Sequence, residues 1–284
     1  MDSMKKKSIG IIISTLLVAA LLICLTACGS KKPDTPAPAG SSAGSGNQEV
    51  AASDLAKVQG AGKIVVGITD FEPMDYKENG EWIGFDAELS ELFAESLGVK
   101  VEFVEIDWDN KILELNGGSV DCIWNGMTLT PEVGSAMSCT DTYALNAQVV
   151  VMATDKLDQY ADAASMASLS FAAEAGSAGE EVGLDEGFNV NSVQNQAAAL
   201  MEVAAGTSDA CIIDKTMADA MTGEGTSYTN LGYKVSLSSE EYVVGFRKGS
   251  DLTQKLNDLF AQWKADGTLK AMSEKYDNAV SIVE

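Results

Sequence analysis

Six short apolar runs separated by helical patterns constrain this chain more than any single residue does. Residues 63–68 (KIVVGI), 99–106, 121–124, 148–152, 170–173 and 210–213 have the length and β-branched content of buried strands. Between them, Asp86 is placed to N-cap a helix whose Leu89, Leu92, Phe93 and Leu97 share one face, with Gly98 as its stop. A second helix is expected over 194–205, and 251–275 supplies two more, broken at Gly267. Strands alternating with helices define an α/β chain with parallel sheets, in which ligands sit at the carboxyl ends of the strands.

The amino-terminal residues follow a different logic. Lys5, Lys6 and Lys7 precede an uncharged apolar run over 9–23, and Leu25-Thr26-Ala27-Cys28 follows it. This is the layout of a secretory signal with a small-residue cleavage site, and the run is short of the ~20 residues that span a bilayer. Residues 1–28 therefore read as a lipoprotein signal peptide with Cys28 lipidated. A diacylglycerol thioether there supplies two acyl chains, enough for stable anchoring. Residues 29–53, rich in proline, glycine, serine and alanine, read as a flexible tether that cannot bury enough surface to offset its ordering entropy. The folded part is expected on the outer face of the cell membrane, lipid-anchored, in an extracellular or periplasmic setting.

Charge and composition exclude several functions. The formal net charge is −23, and it becomes more negative once the signal's three lysines and one aspartate are removed. Nucleic-acid binding, which needs clustered Lys and Arg to displace counterions, is not expected. With no histidine in the chain, a His-ligated zinc site and a Ser-His-Asp triad are excluded, and neither a metal nor a cofactor is expected. Beyond the signal and Cys28, the cysteines are Cys122, Cys139 and Cys211. Their odd number and their strand-like settings at 122 and 211 point to buried free thiols.

The segment Asp121 to Val133, DCIWNGMTLTPEV, resembles the ligand-binding segment of the family 3 extracellular solute-binding proteins, which feed polar amino acids to ABC importers. The resemblance extends over most of the mature chain. Its markers are Gly84-Phe85-Asp86, Asp107-Trp108-Asp109, the GMTLT block, DACIID at 209–214, Gly245-Phe246-Arg247-Lys248-Gly249 and the closing ADGTLKAMSEKY. It implies a two-lobe α/β fold of the periplasmic-binding-protein type, with two crossover strands around 149–153 and 241–246 and a ligand cleft between the lobes. Residues 54–152 and 241–284 would form a discontinuous first lobe and 153–240 the second. Such a fold works as a hinge, closing on a ligand that bridges the lobes.

The resemblance also implies binding positions. Phe71 stands where an aromatic covers the ligand, beside Asp70, and Trp108 stands on the opposite wall; the alternative for either ring is core packing. Trp124 reads as core. Gly126, Met127 and Thr128 match main-chain and hydroxyl contacts to the ligand's amino and carboxylate groups. Gly176-Ser177-Ala178-Gly179 precedes a helix and resembles an anion-binding turn, with Ala178 replacing one of two usual hydroxyl residues. Asp214 matches the carboxylate that receives the α-ammonium group, or else is a solvated helix cap.

One expected side chain is missing. The family usually carries an arginine at the position of Val133, where it clamps the α-carboxylate by a two-pronged hydrogen bond. Arg247 is the chain's sole arginine, and its strand-end setting places it in the crossover region. A lysine such as Lys111 or Lys215 reaches in, the backbone turn suffices, or the ligand lacks a free carboxylate. Acidic residues at the expected mouth, Asp70, Glu72, Asp75, Asp107 and Asp109, favour a cationic or zwitterionic solute over glutamate or aspartate. The expected function is binding without chemistry, as the substrate-binding component of an ABC importer for an amino acid or related amine-bearing solute, as a monomer partnered by a permease. A dehydratase-like enzyme of the same fold and a ligand-sensing receptor module are the alternatives.

Overall fold

The structure is a computed structural model that describes residues 53–283. The expected signal peptide, Cys28 and the tether up to residue 52 lie outside the described residues.

Two sheets organise the chain. The first runs, in spatial order, Ser281–Ile282, Ala144–Asn146, Glu240–Phe246, Cys122–Thr128, Lys63–Ile68 and Lys100–Glu105, with Ser138–Cys139 paired to Glu240–Phe246. The second runs Asn189–Val193, Ser170–Glu174, Ala210–Asp214, Gln148–Ala153 and Leu231–Ser236. Lys63–Ile68 pairs parallel with both neighbours, and so does Ser170–Glu174. The chain leaves the first sheet after Asn146 and enters the second at Gln148. Because Gln148–Ala153 pairs wholly within the second sheet, the first passage falls near residue 147, earlier than the expected boundary at 152. The return falls between Ser236 and Glu240, and Glu240–Phe246 then pairs with Cys122–Thr128.

Several elements outrun their sequence patterns. The expected strand at 121–124 continues to Thr128, although Asn125 and Gly126 look like an ending. Its central place between Lys63–Ile68 and Glu240–Phe246 explains this, since the ladder carries on to the Tyr242–Thr128 pair. The helix Phe85–Leu97 buries Leu89, Phe93 and Leu97 and ends at Gly98 in the left-handed region, φ 72°. Its N-cap, however, is Gly84 and not Asp86. Asp86 turns inward instead, accepting from the Gly126 N–H at 2.6 Å and the Tyr143 hydroxyl at 2.7 Å. Gly267, at φ 84°, separates Leu252–Asp266 from Thr268–Lys275.

Trp124 is core. Its ring meets Phe93, Tyr143 and Phe260 edge-on, with centroids 6.2, 6.5 and 5.8 Å away. Cys122 and Cys211 are buried free thiols and Cys139 is half-buried and free. Among the described residues no helix is long and apolar enough to cross a membrane.

Arg247 ties the first lobe's edge together. Its guanidinium donates to Asp54 at 2.8 Å, Asp121 at 3.1 Å and the Val120 carbonyl at 2.8 Å. The site is mostly shielded from solvent, so removing the cation strands two carboxylates. Lys57 still reaches Asp121 at 3.0 Å and softens the loss. Arg247→Met should therefore lower unfolding stability by about 2 kcal/mol in urea titration. Ligand affinity in the same variant should be unchanged, because none of the residues in this cluster lines the cleft.

Candidate functional site

A small cavity of about 30 Å³ lies between the carboxyl ends of the two sheets. From the first lobe it is lined by Phe71, Trp108, Lys111, Gly126, Met127, Thr128 and Val133, and from the second by Glu174, Ser177, Ala178, Gln196 and Asp214. Eight expected positions thus converge on one space. Asp70 does not join them. It borders a separate groove with Glu72, Tyr76 and Lys77, because the turn closed by hydrogen bonds between Phe71 and Asp75 sends Phe71 inward and its predecessor outward.

The expected acidic mouth is also rearranged. Asp75 is fully buried and accepts from Asn125 Nδ2 at 2.7 Å, while Glu72 and Asp107 border other grooves. The acidic side chains that line the cavity are instead Glu132, Glu174, Glu181 and Asp214.

The first lobe's wall is built around Gly126. Its φ of 53° lies in the left-handed region, and a side chain there would meet the Phe71 ring at 2.7 Å. The glycine is what lets the aromatic ring lie against the strand. Its N–H, bound to Asp86, is not free for a ligand. Asn125 behind it accepts from the Thr69 N–H at 3.0 Å and hydroxyl at 2.8 Å. Thr128 donates its hydroxyl to Glu240 at 2.9 Å, which leaves the oxygen's lone pairs toward the cavity.

At the expected arginine position, Val133 is 1% exposed and packs in an apolar cluster with Trp108, Ile123, Met127 and Met137. The cavity's one cation among the described residues is Lys111, 5% exposed. Its ammonium donates to the Gly176 carbonyl across the cleft at 2.8 Å and sits 5.1 Å from the centre of the Trp108 ring. Burial pulls its pKa below the usual lysine range, against the pull of Glu132, Glu174, Asp109 and Glu181. Lys215 points elsewhere, pairing with Asp219.

On the second lobe, Ser177 caps the helix Ala178–Asp185, its hydroxyl accepting from the Glu180 N–H at 3.1 Å. The turn is less open to anions than its sequence implies. Glu180 folds back to accept from the Gly176 N–H at 2.7 Å, and the Ser177 N–H binds the Glu174 carbonyl at 3.1 Å. Gly176, at φ 69°, also lies close against the first lobe, since a side chain there would meet the Asp109 backbone at 2.7 Å.

Asp214 ends the strand Ala210–Asp214 at the cavity floor, 5% exposed. It accepts from Gln196 at 2.5 Å, from the Tyr242 hydroxyl at 2.6 Å and from Asn146. Its side chain does not cap the following helix. Burial, then the charge of Glu240, pushes its pKa up to about 7. Glu174, which sequence reasoning missed, ends the neighbouring parallel strand at 2% exposed, with Oε1 lacking any hydrogen-bond partner. Burial, then Asp214, pushes it up to about 8.

These acids predict an unusual pH dependence. Glu174 and Asp214, and also Asp75 and Asp86 by burial, hold protons more tightly folded than unfolded. Their contribution to stability is fully present below pH ~4 and is lost as pH rises through 7 to 8. The ligand-free protein should therefore melt on the order of 5 °C lower at pH 8.5 than at pH 5.5. A melting temperature that climbed over that range would contradict it.

A hinge-like pair of α/β lobes with a polar cleft, bridged at its rim and floored by a buried carboxylate, defines a small-solute binding protein. The chain belongs to the bacterial extracellular solute-binding proteins, family 3, which it matches over residues 64–279. It is 27% identical over 270 residues to the arginine-binding extracellular protein ArtP of Bacillus subtilis, covering 92% of this chain and 95% of that one. Among solved structures, an ABC uptake transporter substrate binding protein from Streptococcus pneumoniae with bound histidine superposes with a TM-score of 0.75 at 26% identity, covering 82% and 99% of the two chains. The ancestral amino acid-binding protein AncCDT-1, a precursor of cyclohexadienyl dehydratase, gives 0.73 at 29% identity, covering 79% and 99%.

Proposed function

We propose that this protein captures a small amine-bearing solute, an amino acid or a close relative of one, and presents it to the permease of an ABC importer. The observation that carries this reading is Asp214. Its carboxylate is held by Asn146 and Tyr242 from the first sheet and Gln196 from the second lobe, so a ligand ammonium placed on it engages both halves of the hinge. Closure over the solute then excludes water, strengthens that contact and creates the surface a transporter recognises. Phe71 and Trp108 supply apolar walls, and Gly126, Met127, Thr128, Ser177 and Ala178 complete the lining.

Amino-acid binding in ArtP and in the histidine-bound pneumococcal protein supports the solute class. The chain acts as a monomer, tethered through lipidated Cys28 outside the cell membrane, and binds without chemistry. A thermal-shift panel of the twenty amino acids and small amines tests the solute class. Amine-bearing, non-acidic members should raise the melting temperature, since a ligand selective for the folded form stabilises it. A shift from glutamate or aspartate alone, or from none of the panel, would overturn the reading.

A further inference from the structure

The cleft contains more carboxyl groups than one ammonium group requires. Asp214 satisfies the first, and its three donors leave it organised for that task. Glu174 is the surplus. It sits at the end of the adjacent parallel strand, lines the same cavity at 2% exposure, and has one carboxylate oxygen with no partner at all. A buried acceptor left unpaired costs free energy, and of the unpaired buried side-chain atoms among the described residues Glu174 Oε1 alone belongs to a residue that lines this cavity.

The groups that would hold a carboxylate are meanwhile absent or occupied. Val133 is apolar, the Gly176 N–H is bound by Glu180, and the Lys111 ammonium is bound to the Gly176 carbonyl. We propose that Glu174 is a second cation-binding group of this cleft, so that the solute carries two protonated nitrogens, one seated on Asp214 and the other on Glu174. This rests on the reading of Asp214 as the first ammonium site. Trp108 and Phe71 flank the space between, suited to the methylenes of a short chain.

Ligand binding should also move a proton. Glu174 faces Asp214 and Lys111, with Thr69 and Gln196 as its neutral neighbours, and in the empty cleft near neutral pH it holds a proton. A second ammonium arriving there favours the carboxylate, and the proton passes to the buffer.

The test is calorimetry of the folded domain with α,ω-diamines of three to six carbons, with ornithine, lysine and arginine, and with matching monoamines. Experiments run at pH 7 in two buffers of different ionisation enthalpy. Dications should bind at least tenfold tighter than monoamines and release a proton. Glu174→Gln should erase the preference and reduce the proton release to the part that Asp214 contributes. Diamines and diamino acids share this chemistry. Tighter binding of diamines would show that no carboxylate is held, and tighter binding of diamino acids would show that Lys111 turns to the carboxylate; both support the second cation site. Amine binding that depends on Asp214 but is indifferent to Glu174→Gln would overturn this proposal alone. Amine binding indifferent to both substitutions would overturn the underlying reading as well.

Discussion

Replacing Asp214 by alanine lowers solute affinity more than a hundredfold in calorimetry. The substitution removes a charge-assisted contact to the ligand's ammonium in a site sheltered from water, where such contacts are strongest. It also strands Asn146, Gln196 and the Tyr242 hydroxyl, all of which donate to this carboxylate. A loss of about 3 kcal/mol follows from these terms, which corresponds to roughly a hundredfold in affinity. Asp214→Asn separates charge from shape, because the amide keeps the volume and an acceptor oxygen while losing the charge. It should bind nearly as poorly as the alanine variant and melt, at pH 8, no lower than the unaltered protein, since burial there already disfavours the carboxylate. Full affinity in the asparagine variant would mean that no ammonium sits at this residue.

Most of what positions this site is written in local pattern. The strand cores, the helix ending at Gly98, the break at Gly267 and the turn before Ala178 follow from apolar period and glycine placement. The departures come from residues whose partners are distant in sequence. Asp86 stands where a helix-capping residue would, yet it shares a face with Ser90, Phe93 and Leu97, so the helix carries it into the interior toward Gly126. Glu174 follows an apolar run and precedes a glycine turn, where a charge usually marks the strand's solvated end. The strand instead continues through it, and the crossing of the lobes buries it. Glu240, half-buried, gathers Thr128, Asn146, Gln148 and Ser238 at the passage between sheets, partners that its local sequence does not show. Lys111 was legible only as one of two lysines, with Lys215, that the missing arginine pointed to. That its ammonium bridges to Gly176 was not, because the contact exists only once the lobes meet.

Gly126→Ala tests whether the first lobe's wall has any slack. At φ 53° an alanine is forced into the left-handed region, which costs about 1–2 kcal/mol before any contact is considered. Its methyl group then meets the Phe71 ring at 2.7 Å, with Met74 and Tyr242 each at 3.3 Å. The ring is the only one of these neighbours free to move toward empty space, and that space is the cavity. Overpacking of this kind adds about 1–3 kcal/mol, so unfolding stability should fall by roughly 2–5 kcal/mol in urea titration. Affinity should fall more than tenfold, because a displaced Phe71 occupies the volume that the solute needs. The coupling between the two losses is the informative part. Pairing Gly126→Ala with Phe71→Leu removes the clash but leaves the backbone strain, so the double variant should recover more than 1 kcal/mol of the lost stability. Strictly additive losses in the double variant would mean that Gly126 is required for its backbone angle alone, and that Phe71 does not press on the strand from the ligand side.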